Sequence, residues 1–110
     1  MVKDRKIRKL ITEVVTKIKT EYDPEKIILY GSYAYGKPTA DSDVDLFIIK
    51  NTDKRRVDRF VEVKTLIYDP ARRIPISPMV YTPEEVEKRL AIGDQFVEEV
   101  LTRGEVLYAR

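Results

Sequence analysis

Two short apolar runs decide what this chain can fold into. Ile27-Ile28-Leu29-Tyr30 and Leu46-Phe47-Ile48-Ile49 carry no charged side chain. Each is too short for a buried helix. A strand with one wet face alternates polar and apolar residues, so an unbroken apolar run of this length reads as a strand buried on both faces. Such strands need packed layers above and below them, which points to an α/β fold: a sheet flanked by helices.

The rest of the chain supplies those layers. Ile7, Leu10, Ile11, Val14, Val15 and Ile18 follow the i, i+3, i+4, i+7 rule and define an amphipathic helix from about Lys3 to Thr20. Lys3, Arg5, Lys6, Arg8, Lys9, Lys17 and Lys19 fall on its outer face. Tyr22-Asp23-Pro24 breaks it. Asn51-Thr52-Asp53 offers a cap for a second helix reaching about Tyr68, with Val57, Phe60, Val61 and Ile67 as its apolar face. Ile74 to Tyr81 has β-branched residues but contains Pro75 and Pro78, which marks a bulged or edge strand. Thr82-Pro83-Glu84-Glu85 combines a cap, a proline at the first helical position and a capping-box glutamate. The helix it starts runs to about Ala91, bends near Gly93 and continues its apolar face through Phe96, Val97, Val100 and Leu101 to a cap at Gly104. Val106-Leu107-Tyr108 reads as a short last strand.

Composition removes whole classes of chemistry. The chain has 110 residues and neither Cys nor His, so thiol nucleophiles, imidazole bases and Cys or His metal sites are excluded. The length suits one domain, residues 1–110, able to bury about two-thirds of its surface without a disulfide or metal staple. With 21 Lys and Arg against 19 Asp and Glu, the net charge of +2 gives no case for nucleic-acid binding. No apolar run approaches the ~20 residues of a membrane span, and the basic, periodic first segment does not resemble a signal peptide. A cytoplasmic location is therefore expected.

The chemistry is concentrated between Tyr30 and Leu46. A buried strand delivers Gly31-Ser32, and ten residues later a second strand opens with Asp43-Val44-Asp45. Side chains alternate along a strand, so Asp43 and Asp45 share a face at the mouth of a buried strand. Two like charges there repel each other and resist desolvation. A hard divalent cation, Mg2+ or Mn2+, resolves the conflict and leaves positions for phosphate oxygens. Gly31 allows close backbone approach, and a short helix beginning at Ser32 would present free N–H groups and a hydroxyl to a phosphate. A P-loop is excluded, because Gly36-Lys37 is followed by Pro38 instead of Ser or Thr.

Gly31-Ser32, a ten-residue spacer and Asp43-x-Asp45 resemble the signature of the minimal nucleotidyltransferases in the DNA polymerase β-like nucleotidyltransferase superfamily. The leading helix and the Thr82-Pro83-Glu84-Glu85 junction extend the resemblance over nearly the whole chain. It implies a palm-like mixed sheet flanked by helices and transfer of a nucleoside monophosphate, AMP from ATP, to a hydroxyl. It also implies Asp43 and Asp45 as catalytic metal ligands, with Gly31 and Ser32 holding the triphosphate. A small helical partner of the HEPN type, modified in an antitoxin role, is the implied setting. One departure stands out. The family supplies a third carboxylate from the strand before the Thr-Pro junction, where this chain has Ser77. Ser77 favours the alternative of a weakened nucleotide- or partner-binding module. Lys37, Arg72 and Arg73 are further candidates for phosphates, and Tyr33 and Tyr35 for base stacking.

Overall fold

A computed structural model describes residues 4–110. The elements run α1 (Arg5–Tyr22), β1 (Lys26–Tyr30), α2 (Ser32–Tyr35), β2 (Val44–Ile49), α3 (Arg56–Leu66), β3 (Ile76–Tyr81), α4 (Pro83–Ala91), α5 (Gln95–Arg103) and β4 (Glu105–Ala109). The strands form one mixed sheet in the order β3-β2-β1-β4. β1 is antiparallel to both β2 and β4, while β2 and β3 are parallel and joined through α3. The expected α/β sheet flanked by helices is what forms.

Both faces of the central strands are covered, as their unbroken apolar sequence requires. Ile27, Leu29, Val44, Leu46, Ile48, Ile76 and Val80 pack with α1 and with Val63 and Ile67 at the end of α3. Ile28, Phe47, Ile49 and Tyr81 pack beneath Val86 of α4 and Val97 and Val100 of α5. Full burial of an Ile, Leu, Val or Phe side chain contributes about 1.5–3 kcal/mol. Ile18, Ile27, Val44, Leu46, Phe47, Ile48, Val63, Val97 and Val100 are all at 0% exposure, so these two layers dominate the stability.

β3 is an edge strand, as its prolines indicate. Pro75 and Tyr81 turn their carbonyls toward β2, where they accept from Val44 N–H and Lys50 N–H. Alternation then points the backbone of Ile76, Pro78 and Val80 off the sheet. Pro78 has no N–H to leave unpaired there. Lys64 caps the Ile76 carbonyl at 3.1 Å, and Arg59 reaches the Val80 carbonyl at 3.3 Å. The edge is thereby closed to further pairing.

That capping overturns the expected face of α3. Val57, Phe60 and Val61 are 56%, 44% and 54% exposed, and Arg59 and Val63 are the helix's buried residues. Arg59 also donates to the Lys54 carbonyl and to Glu85 Oε1, both at 2.7 Å. Meeting these acceptors turns the 59/63 stripe inward and leaves the apolar 57/60/61 stripe outside. The helix begins at Arg56 with Arg55 as its cap residue, not at Asn51-Thr52-Asp53, where Thr52 Oγ1 accepts from Lys54 N–H in a local turn.

The helix starting at Pro83 has the expected capping box, with Thr82 and Glu85 exchanging hydrogen bonds. It stops at Ala91 instead of bending. Gly93 takes φ +76, and Asp94 caps a new helix by accepting from Val97 N–H. Gly104 ends α5 with φ −66, so left-handed geometry is not its reason. A Cβ there would strike the Val100 carbonyl and the Ile28 side chain. The first helix is capped by Asp4 and ends at Asp23, with Lys3 outside the described residues.

Candidate functional site

The site residues converge at one end of the sheet. β1 ends at Tyr30, and the backbone turns at Gly31 with φ 77 and ψ −157. That conformation is accessible essentially to glycine alone. Ser32–Tyr35 then make a single helical turn, in which Ala34 and Tyr35 both donate to the Gly31 carbonyl. The N–H groups of Ser32 and Tyr33 precede that first hydrogen bond and open the turn. Gly36 ends it, where a Cβ would lie 2.8 Å from Ser32 Cα.

The spacer returns the chain to the sheet in a local turn. Ser42 Oγ accepts from Thr39 N–H at 2.8 Å, and Ser42 N–H donates to the Thr39 carbonyl at 3.1 Å. Val44 N–H is tied to the Pro75 carbonyl at 2.9 Å. Asp43 sits exposed just before β2, and Asp45 is half-buried as its second residue. The register pairs Tyr30 with Asp45, and Asp45 with Ser77. Paired residues on neighbouring strands face the same way, so Ser77, Asp45 and Tyr30 form one row on the face that α4 and α5 partly cover.

A contact joins the two halves of the motif. A Cβ at Gly31 would collide with Asp45 Oδ2. The backbone angle requires Gly31, and any Cβ there would also push the Asp45 carboxylate aside. Sequence spacing gives reason to expect room for phosphate at Gly31; the room is in fact shared with Asp45.

Electrostatics follow from this crowding. Burial, then the charge of Asp43, pushes the Asp45 carboxyl above its ordinary range. Burial, with Asp45 as the next cause, raises the Tyr30 phenol to about 12, so Tyr30 stays protonated at neutral pH. The Tyr30 ring meets Phe47 and Phe96 edge-on, at 6.4 and 5.5 Å between centroids. Asp43 and Asp45 form a hard oxygen donor pair suited to a divalent cation that also takes phosphate oxygens. Among the described residues no third acidic side chain joins them. Asp69 accepts from Ala71 N–H in a turn, and Glu84 pairs with Lys88 on α4.

The weaker candidates divide. Tyr33 is 6% exposed and belongs to the core, so it offers no stacking surface. Tyr35 is half-buried, with the Arg103 guanidinium 4.4 Å above its ring. Arg72 donates to the Ile67 carbonyl at 2.6 Å and ties down the loop before β3. Lys37 and Arg73 are exposed. Tyr30 and Arg103 escape motif reading because Tyr30 reaches Asp45 through strand register and Arg103 reaches Tyr35 through helix packing, not through spacing.

The geometry agrees with what the chain resembles. Residues 7–104 match the model of the nucleotidyltransferase domain. The chain belongs to this family. Among its curated relatives is the Methanocaldococcus jannaschii protein "Putative protein adenylyltransferase MJ1305", 31% identical over 97% of this chain and 75% of the relative. A second from the same organism, "Putative protein adenylyltransferase MJ0604", is 35% identical over 91% of this chain and 96% of the relative. A crystal structure of a "putative nucleotidyltransferase from Sulfolobus solfataricus" shares the fold, with a TM-score of 0.64 and 19% identity over 93% of this chain and 79% of that one. Among the described residues of this nucleotidyltransferase domain no helix is long and apolar enough to cross a membrane.

Proposed function

We propose that this nucleotidyltransferase domain moves AMP from ATP onto a hydroxyl, with Mg2+ or Mn2+ held by Asp43 and Asp45. The observation that carries the reading is the fit of the Asp45 carboxylate against Gly31, with the charge of Asp43 acting on it. It ties a charge-bearing pair to the opening of the Ser32 turn, as a site for a metal–triphosphate requires. The names of the relatives support adenylate as the transferred group and protein as the acceptor.

The chain's residues divide the work. Asp43 and Asp45 hold the cation. Ser32 contributes its hydroxyl, and with Tyr33 its N–H, to the triphosphate, while Gly31, lacking a side chain, leaves room for the Asp45 carboxylate beside them. A bound divalent cation would supply charge neutralisation and Lewis-acid polarisation at the phosphates. The acceptor oxygen forms a bond to the α-phosphorus, the bond from that phosphorus to the α–β bridging oxygen breaks, and pyrophosphate departs with the electron pair. The hydroxyl proton passes to solvent or to a base on the acceptor. Ser77 stands beside Asp45 where a carboxylate would serve, and it is neutral at every working pH. Loss of a placed general base costs about 10²–10⁴-fold. Transfer by the isolated chain is therefore slow, and nucleotide binding outlasts it.

The acceptor we favour is a small helical HEPN-type protein, which transfer would modify in an antitoxin role within the cytoplasm. The second reading, a binding module without turnover, is favoured by Ser77 alone.

Incubation with α-phosphate-labelled ATP tests the proposal. Label transfer and pyrophosphate release should require Mg2+ or Mn2+ and vanish in the Asp43→Asn/Asp45→Asn double variant. Ser77→Asp should raise the rate. Transfer unchanged in the double variant would refute the assignment, and fast transfer by the parent chain alone would refute the role given to Ser77.

A further inference from the structure

The end of α5 is locked beside the Ser32 turn. Gly104 packs its backbone against the Leu29 carbonyl and the Ile28 side chain so closely that a Cβ would not fit. Glu105, the next residue, opens β4 in register with Leu29, two residues before Gly31. Arg103, the last residue of α5, is thereby held level with the end of β1, from which Gly31 and Ser32 emerge. Its guanidinium lies 4.4 Å over the ring of Tyr35, and Tyr35 N–H donates to the Gly31 carbonyl in the turn that begins at Ser32.

A cation in the last turn of a helix complements the helix dipole without any such placement. The contact with Tyr35 does more: it holds the guanidinium over the ring at the end of β1. The acid paired with Arg103 is Glu99, at 3.5 Å, with both side chains about half exposed. That is longer than the 2.7–2.9 Å of a strong charge-assisted hydrogen bond. At the same end of the sheet, Asp43 and Asp45 place two negative charges where a polyphosphate would add more.

Building on the proposed function, we infer that Arg103, held on the Tyr35 ring, binds the β- and γ-phosphates of the nucleoside triphosphate. Tyr35 is its platform and a positioning residue, not a base-stacking one. The adenosine and α-phosphate are left to other groups, so the contribution of Arg103 grows with the number of phosphates on the ligand.

Calorimetric titration of the purified chain with ATP, ADP and AMP in MgCl2 tests this, using the parent and the Arg103→Gln, Arg103→Lys and Tyr35→Leu variants. A charge-assisted hydrogen bond to a partly exposed site corresponds to about tenfold in affinity. Arg103→Gln should lose about that factor for ATP, less for ADP and almost nothing for AMP. Arg103→Lys should recover part of the loss, and Tyr35→Leu should show the same phosphate-dependent pattern more weakly. A merely structural role would weaken all three ligands alike and lower the melting temperature in step. That equal loss, or no loss, with the parent binding Mg2+-ATP, overturns the inference and leaves the nucleotidyltransferase reading standing. Failure of the parent to bind Mg2+-ATP overturns both. A variant that fails to fold is recognised from its circular dichroism, and Arg103→Lys then decides, since it keeps the charge and the helix.

Discussion

Replacing Gly31 with alanine probes the contact on which the site is built. Two costs are readable from the structure. The backbone at φ 77 and ψ −157 is strained for any L residue, at about 1–3 kcal/mol. The added Cβ also collides with Asp45 Oδ2, and overpacking of this kind costs about 1–3 kcal/mol more. The two are separable. In an Asp45→Ala background the nearest remaining Asp45 atom is Cβ at 3.5 Å, an ordinary van der Waals distance. Only the backbone term then survives. At about 4 °C per kcal/mol for a domain of this size, Gly31→Ala alone should lower the melting temperature by about 8 °C or more. In the Asp45→Ala background the drop should be roughly half that. Thermal unfolding of the parent, both single variants and the double variant closes the cycle, and a coupling of about 1–3 kcal/mol is expected. Equal cost of Gly31→Ala in both backgrounds would refute the claim that Asp45 lies against Gly31.

Asp45→Asn should stabilise the metal-free protein at neutral pH. Burial and Asp43 raise the folded-state pKa of Asp45, so the parent loses stability as pH rises from the ordinary aspartate range through that raised value, whereas the Asn variant does not. Melting temperatures in a chelator at pH 3 and pH 7 check this, and a parent more stable than the variant at pH 7 would contradict it. Arg59→Leu should cost about 1–3 kcal/mol, since it removes the buried partner of the Lys54 and Val80 carbonyls and the ion pair of the partly exposed Glu85. Burial alone would raise Glu85, but hydrogen bonds from Arg59 and Thr82 N–H outweigh it and hold the carboxyl below its usual range. The stability that Glu85 contributes is therefore present above the unfolded glutamate value and lost as pH falls through the lowered folded one. Urea midpoints from pH 3 to pH 7 should show this acid loss in the parent, and the acid limb moving to higher pH in Arg59→Leu.

The sheet, its two covered faces and the Thr82 capping box were legible because they rest on local pattern. Apolar runs too short for helices, prolines at an edge and a cap three residues before a glutamate each have a local physical cause. The α3 face was not legible. Val57, Phe60 and Val61 have helical spacing, but the backbone acceptors that draw Arg59 inward come from β3, the Lys54 loop and α4, which sequence periodicity does not see. One apolar face spans both helices, so sequence pattern alone reads the split at Gly93 as a bend. At the site, the motif brings Gly31, Ser32, Asp43 and Asp45 to notice, and the parallel register of β2 and β3 pairs Ser77 with Asp45. The rest depends on antiparallel register and helix ends. Asp45 meets Gly31 because β1 and β2 form a hairpin-like pair, and Arg103 meets Tyr35 because α5 stops at a glycine pressed onto β1.

In the proposed site, Asp43 and Asp45 hold a divalent cation that presents a triphosphate to the Ser32 turn. Crystals grown with Mn2+ and a non-hydrolysable ATP analogue test it through the anomalous signal of manganese. A manganese peak is expected at the Asp43 and Asp45 carboxylates, at about 2.1–2.2 Å, in the range of hard cations bound by oxygen. The phosphates should lie against the Ser32 hydroxyl and the Ser32 and Tyr33 N–H groups. A metal peak elsewhere, or an analogue bound with its phosphates away from Gly31, would contradict it.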